Sequence, residues 1–401
     1  MNHKPTSTAL TLRAAKAFNR RTLLARSAAV AAAGLGANAF PYIRNAEAAT
    51  LELRVLMWAN YNVESTVAAF EQQYGVRFAP TYFDGNSEAF NKMKAGGTQD
   101  FDLVQADGHW PRTYHKQGLT QSIDNSKVPN LANAYPACVP PIYPLNVVEG
   151  GTDVVAVPNC WGGYGVTINP THVDPVDAES IEVLYNEKYS GHIITSNRFE
   201  ENIAETGILV ADRMGTKTAP RPDGKPFNPY VLTDEELEEV KKWLIKQKGL
   251  LLTRYVEYDM VDRLMLSGQA WMSPEWGITF RRLLAMHRNN ELDWKAQYVL
   301  VPKEGGLGWI DNWMISSGVQ DAEKLEICYA WINNFLSDEN MLKVLREEGT
   351  ASIIDIRKHL TEIEIEDFLL NQTDKLAGLY MFDQPSSPEK WERVWSEVEA
   401  A

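Results

Sequence analysis

The chain has 401 residues, of which 53 are acidic and 39 are Lys or Arg, so its formal net charge is −14 at pH 7. This negative charge argues against nucleic acid or an anionic membrane surface as a partner, because phosphate groups would be repelled. The length exceeds that at which a single hydrophobic core stops growing, and 44% of the residues are hydrophobic, which predicts a globular protein of two domains.

The first 48 residues have the pattern of an export signal. Arg20 and Arg21 precede an uncharged run over 27–40, and Ala46 and Ala48 supply the small residues of a peptidase site. The adjacent arginines favour the twin-arginine route, with cleavage near Ala48. The alternative is an uncleaved anchor, but about 14 residues at 1.5 Å each fall short of a hydrocarbon core of roughly 30 Å. Removing the signal leaves a net charge of −20, and no Cys follows the run to carry a lipid.

After residue 50 the hydrophobic pattern alternates between strands and helices. Residues 51–57 alternate with a period of two and predict a strand, and apolar residues recur at helical spacing over 63–70. A strand follows over 76–83, a helix over 87–96 and an apolar strand over 101–105. This β-α-β-α-β order predicts an α/β fold of mostly parallel sheets covered by helices.

The middle of the chain contains a Gly-rich segment, 161–165, which we interpret as a crossing between the strand-like segments 154–157 and 165–168. Farther along, Thr233 and Glu236 have the spacing of a capping box, which predicts the start of a helix.

The sequence contains no recognisable catalytic or metal-binding motif. It has no G-x-S-x-G, P-loop or H-E-x-x-H pattern, and no Cys or His pair has the spacing of metal ligands. We therefore expect no catalytic residue, no metal and no cofactor. Cys138 and Cys160 could form a disulfide in an oxidising compartment; the alternative is that these two and Cys328 are buried free thiols.

Several segments, taken together in their order, resemble the spermidine/putrescine-binding proteins of polyamine ABC importers. These segments are 53–61 (LRVLMWANY), 81–84 (TYFD), 102–104 (DLV), 121–124 (QSID), 158–162 (PNCWG), 301–306 (VPKEGG) and 308–311 (GWID). The resemblance implies the two-lobed periplasmic-binding-protein fold, with a ligand cleft between the lobes. One lobe would hold 49–165 and 311–358, and the other would hold 166–310 and 359–401.

A cleft for a polyamine needs carboxylates for the ammonium groups and aromatic rings for the methylenes, near strand ends. Trp58 and Tyr61 follow the first predicted strand, Asp107 follows the third, and Trp309 and Asp311 lie beside a lobe crossing. The resemblance assigns four of these residues to ligand contacts. Asp107 is a departure, because the polyamine binders have a hydroxyl residue there.

The resemblance adds four further candidates for ligand binding. Glu200 matches a second acid, whereas Asn197 stands where the family has Asp and His109 where it has Tyr. Glu275 falls where the family has Trp, although a shift of one residue would place Trp276 there. The predicted site is therefore acidic but rearranged relative to the polyamine binders.

These observations predict the periplasmic substrate-binding component of an ABC importer, a monomer that delivers a small organic amine such as putrescine or spermidine to the membrane permease. One alternative is a zwitterionic, amino-acid-like or opine-like ligand, which would be preferred if Arg198 or Arg254 entered the cleft. Another is an exported enzyme on the same scaffold, since a fold does not fix a function.

The export signal can be tested by changing both Arg20 and Arg21 to Lys. We expect precursor to accumulate in the cytoplasm, because the twin-arginine route requires the arginine pair. Fractionation and immunoblotting of wild type and variant measure this. Normal export of the double variant would contradict the twin-arginine assignment while leaving export itself intact.

Overall fold

The structure is a computed structural model that describes residues 51–221 and 224–401. The predicted export signal, residues 1–48, lies outside these residues. Residues Ala49–Ala401 form one compact unit. None of the described helices combines the length and the apolar character needed to cross a membrane.

In the described part of the chain, eleven strands form one sheet. They are β1 Glu52–Met57, β2 Arg77–Tyr82, β3 Leu103–Asp107, β4 Val157–Ile168, β5 Ile193–Ser196, β6 Leu251–Tyr255, β7 Met272–Glu275, β8 Gln297–Val299, β9 Gly306–Ile315, β10 Ala351–Ser352 and β11 Leu379–Met381. The main path runs β2-β1-β3-β9-β4-β7-β5-β6, while β8 and β10 pair with β4, and β11 pairs with β9.

Helices flank this sheet. Over residues 51–221 and 224–401 they are α1 Glu64–Tyr74, α2 Asn86–Lys92, α3 Thr98–Asp100, α4 Trp110–Lys116, α5 Pro175–Ala178, α6 Phe199–Met214, α7 Asp234–Lys248, α8 Tyr258–Leu266, α9 Ile278–Arg288, α10 Ala322–Phe335, α11 Asp338–Lys343, α12 Glu362–Asp367 and α13 Pro388–Ala400. The predicted capping box is confirmed, because Thr233 and Glu236 cap the start of α7 reciprocally.

The predicted α/β class is confirmed, and parallel pairing lies on both outer parts of the sheet. β1 pairs in parallel with β2 and β3, and β5 pairs in parallel with β6 and β7. The strands between them, β4 and β9, run antiparallel to each other and to their outer neighbours β7 and β3.

The Gly-rich segment does not separate two strands as predicted, because it lies inside the single strand β4. The first part of β4, up to Tyr164, pairs with β9, and the part from Gly165 to Ile168 pairs with β7 and β8. A Cβ atom on Gly165 would lie 2.3 Å from the Val299 carbonyl oxygen, so glycine permits this close strand approach. β4 and β9 are thus the crossing strands, and the predicted limits of the two lobes stay predictions.

The hydrophobic core of the described residues includes two large clusters, and the larger one extends across the crossing strands from β1 to α9. Trp313, Trp331 and Phe335 are fully buried in one cluster, and Tyr189 and Leu244 are fully buried in the other. Burying each such side chain contributes roughly 1.5–3 kcal/mol, so these clusters hold the strands that frame the site. All three cysteines are free and buried, which agrees with the free-thiol alternative.

Candidate functional site

A cavity of about 430 Å³ is lined by the crossing strands and by segments on both sides of them. We call it the cleft. Its volume lies within the range of small-molecule sites, roughly 300–1,000 Å³. Five of the predicted ligand-binding residues line it, namely Trp58, Tyr61, Asp107, Trp309 and Asp311. The structure thus brings these five together, and their contact with a ligand stays a prediction.

Two carboxylates form one wall of the cleft. Asp107, at the end of β3, stands directly opposite Asp311 on β9 in the antiparallel register. The Tyr61 hydroxyl donates a hydrogen bond to Asp311, and the Asn86 amide donates one to Asp107 at 2.7 Å. Within the described residues neither carboxylate forms an ion pair with Lys, Arg or His. The fold therefore holds two adjacent acids without a cation of its own.

Burial and mutual repulsion disfavour the ionised forms of both acids. Burial, followed by the charge of Asp107, raises the pKa of Asp311 to about 8, against the hydrogen bond from Tyr61. Burial also raises the pKa of Asp107 to about 6, with Asn86 acting in the opposite direction. A ligand ammonium would reverse this balance, because an adjacent cation favours the charged carboxylates.

Aromatic rings form the neighbouring wall. Trp309 on β9 pairs with Gly162 on β4, and a Cβ atom on Gly162 would lie 2.5 Å from the Trp309 ring. The indole of Trp309 therefore lies flat against the backbone of the neighbouring strand. Trp58 packs against Phe83 with ring centroids 4.3 Å apart, and its backbone N–H donates to the Gln105 side chain at 3.1 Å. These contacts fix the rings that would cover a ligand's methylenes.

Glu275 does not line the cleft, whereas Trp276 does. The Glu275 side chain is fully buried, accepts a hydrogen bond from the Thr167 hydroxyl at 2.6 Å, and accepts from the backbone N–H groups of Thr279 and Phe280 at 3.2 Å each. It therefore caps the start of α9. Successive side chains of an extended segment point to opposite sides, which is why the next residue reaches the cleft.

His109, Asn197 and Glu200 also lie outside the cleft lining. His109 is the residue just before α4 and faces a different groove, where its ring lies 4.0 Å from the carboxylate of Asp383. Asn197 is exposed just before α6, and Glu200 is exposed in the first turn of α6. The adjacent residue Glu201, which is buried, instead accepts a hydrogen bond from the Trp276 indole at 3.2 Å and so holds that ring.

The two arginines considered from the sequence have different positions. Arg198 lines the cleft, with its side chain 69% exposed and 3.7 Å from Glu201. Arg254 is absent from the cleft lining, because its guanidinium is bound to Glu399 at 3.1 Å and to Thr195 at 2.8 Å. Of these two arginines, only Arg198 therefore has access to a ligand in the cleft.

Sequence reasoning missed several residues of the cleft, including Arg281 on α9 and Phe382 after β11. Arg281 is followed by Arg282, and an arginine pair within a helix is typical of a solvated face. Phe382 comes from the C-terminal part of the chain, which carried no motif of the resemblance. The available signal was weak: Arg281 is three residues before Leu284, which places it at the edge of the apolar face that Phe280, Leu283 and Leu284 form on α9.

The described residues contain no group of three or more His, Cys, Asp or Glu side chains that could hold a metal ion. The cleft is therefore built from carboxylates, guanidinium groups and aromatic rings. Such a set can bind and desolvate a small charged organic molecule between two parts of a sheet.

A two-part α/β architecture with a charged, aromatic cleft at its crossing strands defines the class of extracellular solute receptors. The family model for "Bacterial extracellular solute-binding protein" matches residues 65–355, and the chain belongs to this family. Its members are substrate-binding proteins of ABC transporters and not enzymes.

One relative and two solved structures illustrate the similarity. The spermidine/putrescine-binding periplasmic protein of Escherichia coli K12 is 21% identical over 270 residues, which cover 66% of this chain and 68% of the relative. The solved spermidine/putrescine substrate-binding protein PotD of Streptococcus pneumoniae has a TM-score of 0.69 at 18% identity and covers 88% of this chain and 99% of its own. The Atu4243 GABA receptor has a TM-score of 0.59 at 14% identity, covering 88% and 97%.

The protonation of Asp311 can be tested through stability. Because the raised pKa makes the folded state bind more protons than the unfolded state, stability of the ligand-free protein should fall as pH rises from about 4 towards 8. Asp311→Asn keeps the shape and removes the contribution of Asp311 to this dependence, while Glu205, whose pKa burial raises to about 8, keeps its own contribution. At pH 8 the variant should therefore be roughly 1–4 kcal/mol more stable than wild type. Urea unfolding of both proteins at pH 5 and pH 8 measures it; equal pH slopes would show that Asp311 is not desolvated.

The close contact between Gly162 and Trp309 gives a second test. Gly162→Ala should displace the indole and lower the free energy of unfolding by about 1–3 kcal/mol, since overpacking is destabilising. Near-ultraviolet circular dichroism and urea unfolding report the ring and the stability. Gly151→Ala is the matched control, because a Cβ atom there meets Val148 at 3.5 Å, an ordinary contact. Equal spectra for both variants would argue against a fixed ring.

Proposed function

We propose that the chain is the periplasmic substrate-binding component of an ABC importer that captures a small organic amine and delivers it to the membrane permease. The observation that carries the proposal is the pair Asp107 and Asp311, a half-buried and a buried acid side by side on β3 and β9 without a cationic partner among residues 51–221 and 224–401. An ammonium group supplies the missing charge.

The aromatic lining supports an organic amine over a bare metal cation. Trp58, Trp309 and Trp276 surround the cleft, and indole faces attract ammonium groups by about 0.5–2 kcal/mol each while covering methylenes. A metal ion would need several oxygen ligands at short range, and a wall of indole rings does not supply them. The chemistry of the lining therefore suits a cation attached to a hydrocarbon.

The relatives are consistent with an amine as ligand. The Escherichia coli relative is named for spermidine and putrescine, and the structurally similar Atu4243 protein is named as a receptor for GABA, which also carries an amine. By the same proposal, the protein leaves the cytoplasm through its twin-arginine signal, works as a monomer and has the importer's permease as its partner.

The amine site is tested by calorimetric titration of putrescine, spermidine and 4-aminobutanoate into wild type and Asp311→Asn. For each amine that binds wild type, the variant should bind tens-fold to thousands-fold more weakly, because losing one partner of a desolvated charge pair typically costs roughly 2–5 kcal/mol. Trp309→Leu should weaken binding less than Asp311→Asn does if the indole covers methylenes, and by a comparable factor if the indole faces the cation.

Glu238→Gln is the control, since Glu238 lies exposed on α7 and pairs only at the surface with Lys241. It should bind like wild type, because exposed ion pairs contribute little. Circular dichroism verifies that each variant is folded. Failure of every amine to bind wild type, or unchanged binding by a folded Asp311→Asn, would refute the proposal.

A further inference from the structure

Arg281 contributes a positive charge to the lining of the cleft, which also contains the two acids Asp107 and Asp311. It lies in the first turns of α9, and its side chain is partly buried at the cleft wall. Across residues 51–221 and 224–401 its guanidinium makes no hydrogen bond and no ion pair. Its guanidinium carbon lies over the ring of Phe368, 5.9 Å from the ring centroid.

The two acids whose charges act on Arg281, Glu275 and Asp367, are already bound elsewhere. Glu275 accepts hydrogen bonds from Thr167 and from the backbone at the start of α9. Asp367 forms an ion pair with Arg288, which donates a hydrogen bond to it. Burial lowers the pKa of Arg281, with Glu275 and Asp367 acting in the opposite direction. The guanidinium has therefore lost water without gaining an acceptor, an arrangement that an incoming anion would relieve.

The neighbouring arginines of α9 show what an ordinary surface arginine does here. Arg282 forms an ion pair with Asp262 and another with Asp259 at 3.3 Å, and Arg288 pairs with Glu366 at 3.1 Å. Arg281, which lines the cleft, forms no ion pair within the described residues. Arg281, Arg282 and Arg288 all lie on α9, so their different pairing reflects the different directions of their side chains around the helix.

The charges of the cleft are separated rather than paired. No ion pair joins Arg281 to Asp107 or Asp311, so the guanidinium and the carboxylates lie more than 4.0 Å apart. One wall, on β3 and β9, thus has unpaired negative charge, and another, on α9, has unpaired positive charge. A plain diamine would satisfy the first wall and be repelled by the second.

We infer that the ligand carries a carboxylate as well as an ammonium group, and that Arg281 binds the carboxylate, with Arg198 adding positive charge at the exposed edge. Guanidinium matches a carboxylate through two parallel N–H donors. The ligand is then an amino acid or a related amino carboxylate, and not a polyamine. This inference rests on the proposed function, because the ammonium end still needs Asp107 and Asp311.

The test uses probes that differ in one carboxylate. Putrescine is compared with ornithine and 4-aminobutanoate, and cadaverine with lysine and 5-aminopentanoate, by calorimetric titration. Wild type should bind at least one carboxylate-bearing probe about tenfold or more tighter than its matched diamine. Arg281→Met keeps the apolar stem and removes the charge, so it should weaken that binding by about tenfold or more without weakening the diamine.

Two further variants separate a binding role from a structural one. Arg281→Glu should reverse the preference towards the diamines, because it turns the attractive wall into a repulsive one. Arg282→Met is the matched control on the same helix, facing away from the cleft, and should leave both affinities unchanged. Equal weakening of both probe classes by a folded Arg281→Met would overturn the inference.

The remaining outcomes distinguish this inference from the proposed function. If wild type binds the diamines more tightly than every carboxylate-bearing partner, and Asp311→Asn removes that binding, the carboxylate inference is false and the amine receptor stands. If neither probe class binds wild type, both are refuted.

Discussion

The arrangement of the cleft follows from one electrostatic constraint, the placing of two carboxylates, one buried and one half-buried, opposite each other across adjacent antiparallel strands. Such a pair is unfavourable in the ligand-free protein, since each acid loses hydration and repels the other. The surrounding structure limits the penalty through the hydrogen bonds from Tyr61 and Asn86, which orient the carboxylates without neutralising them. The two acids thereby lower the free energy of unfolding of the ligand-free protein, and a bound cation would stabilise their ionised forms.

The strands that create this constraint also hold the sheet together. β9 contributes Trp309 and Asp311 to the cleft, and its register with β3 and β4 continues into the buried core at Trp313. Because β4 and β9 join the two outer parts of the sheet, the site lies where those parts meet. A ligand in the cleft would therefore contact the crossing strands directly, and a change in the twist of these strands would alter the shape of the cleft.

Much of the fold could be predicted from the sequence, because period-two and helical patterns and a capping box are local signals. The α/β order and the start of α7 were predicted correctly. The site was less predictable. Glu275 and Trp276 are adjacent, and only the pairing of β7 decides which of them reaches the cleft. His109 follows Asp107 closely, yet the turn at Gly108 sends it into another groove. Arg281 required three-dimensional contacts, since its lack of a partner has no sequence signal.

The division of charged residues between a crossing strand and a flanking helix has an evolutionary consequence. The acids on β3 and β9 stand opposite each other in the strand register, so a substitution that changes the size of either side chain acts directly on the sheet. Helix α9 packs on one side and is free of strand pairing, and a single substitution at Arg281 alters the charge offered to a ligand while the sheet is untouched. Under the proposed function, such a substitution would change the recognition of one end of the ligand and leave the acids proposed to bind the amine in place.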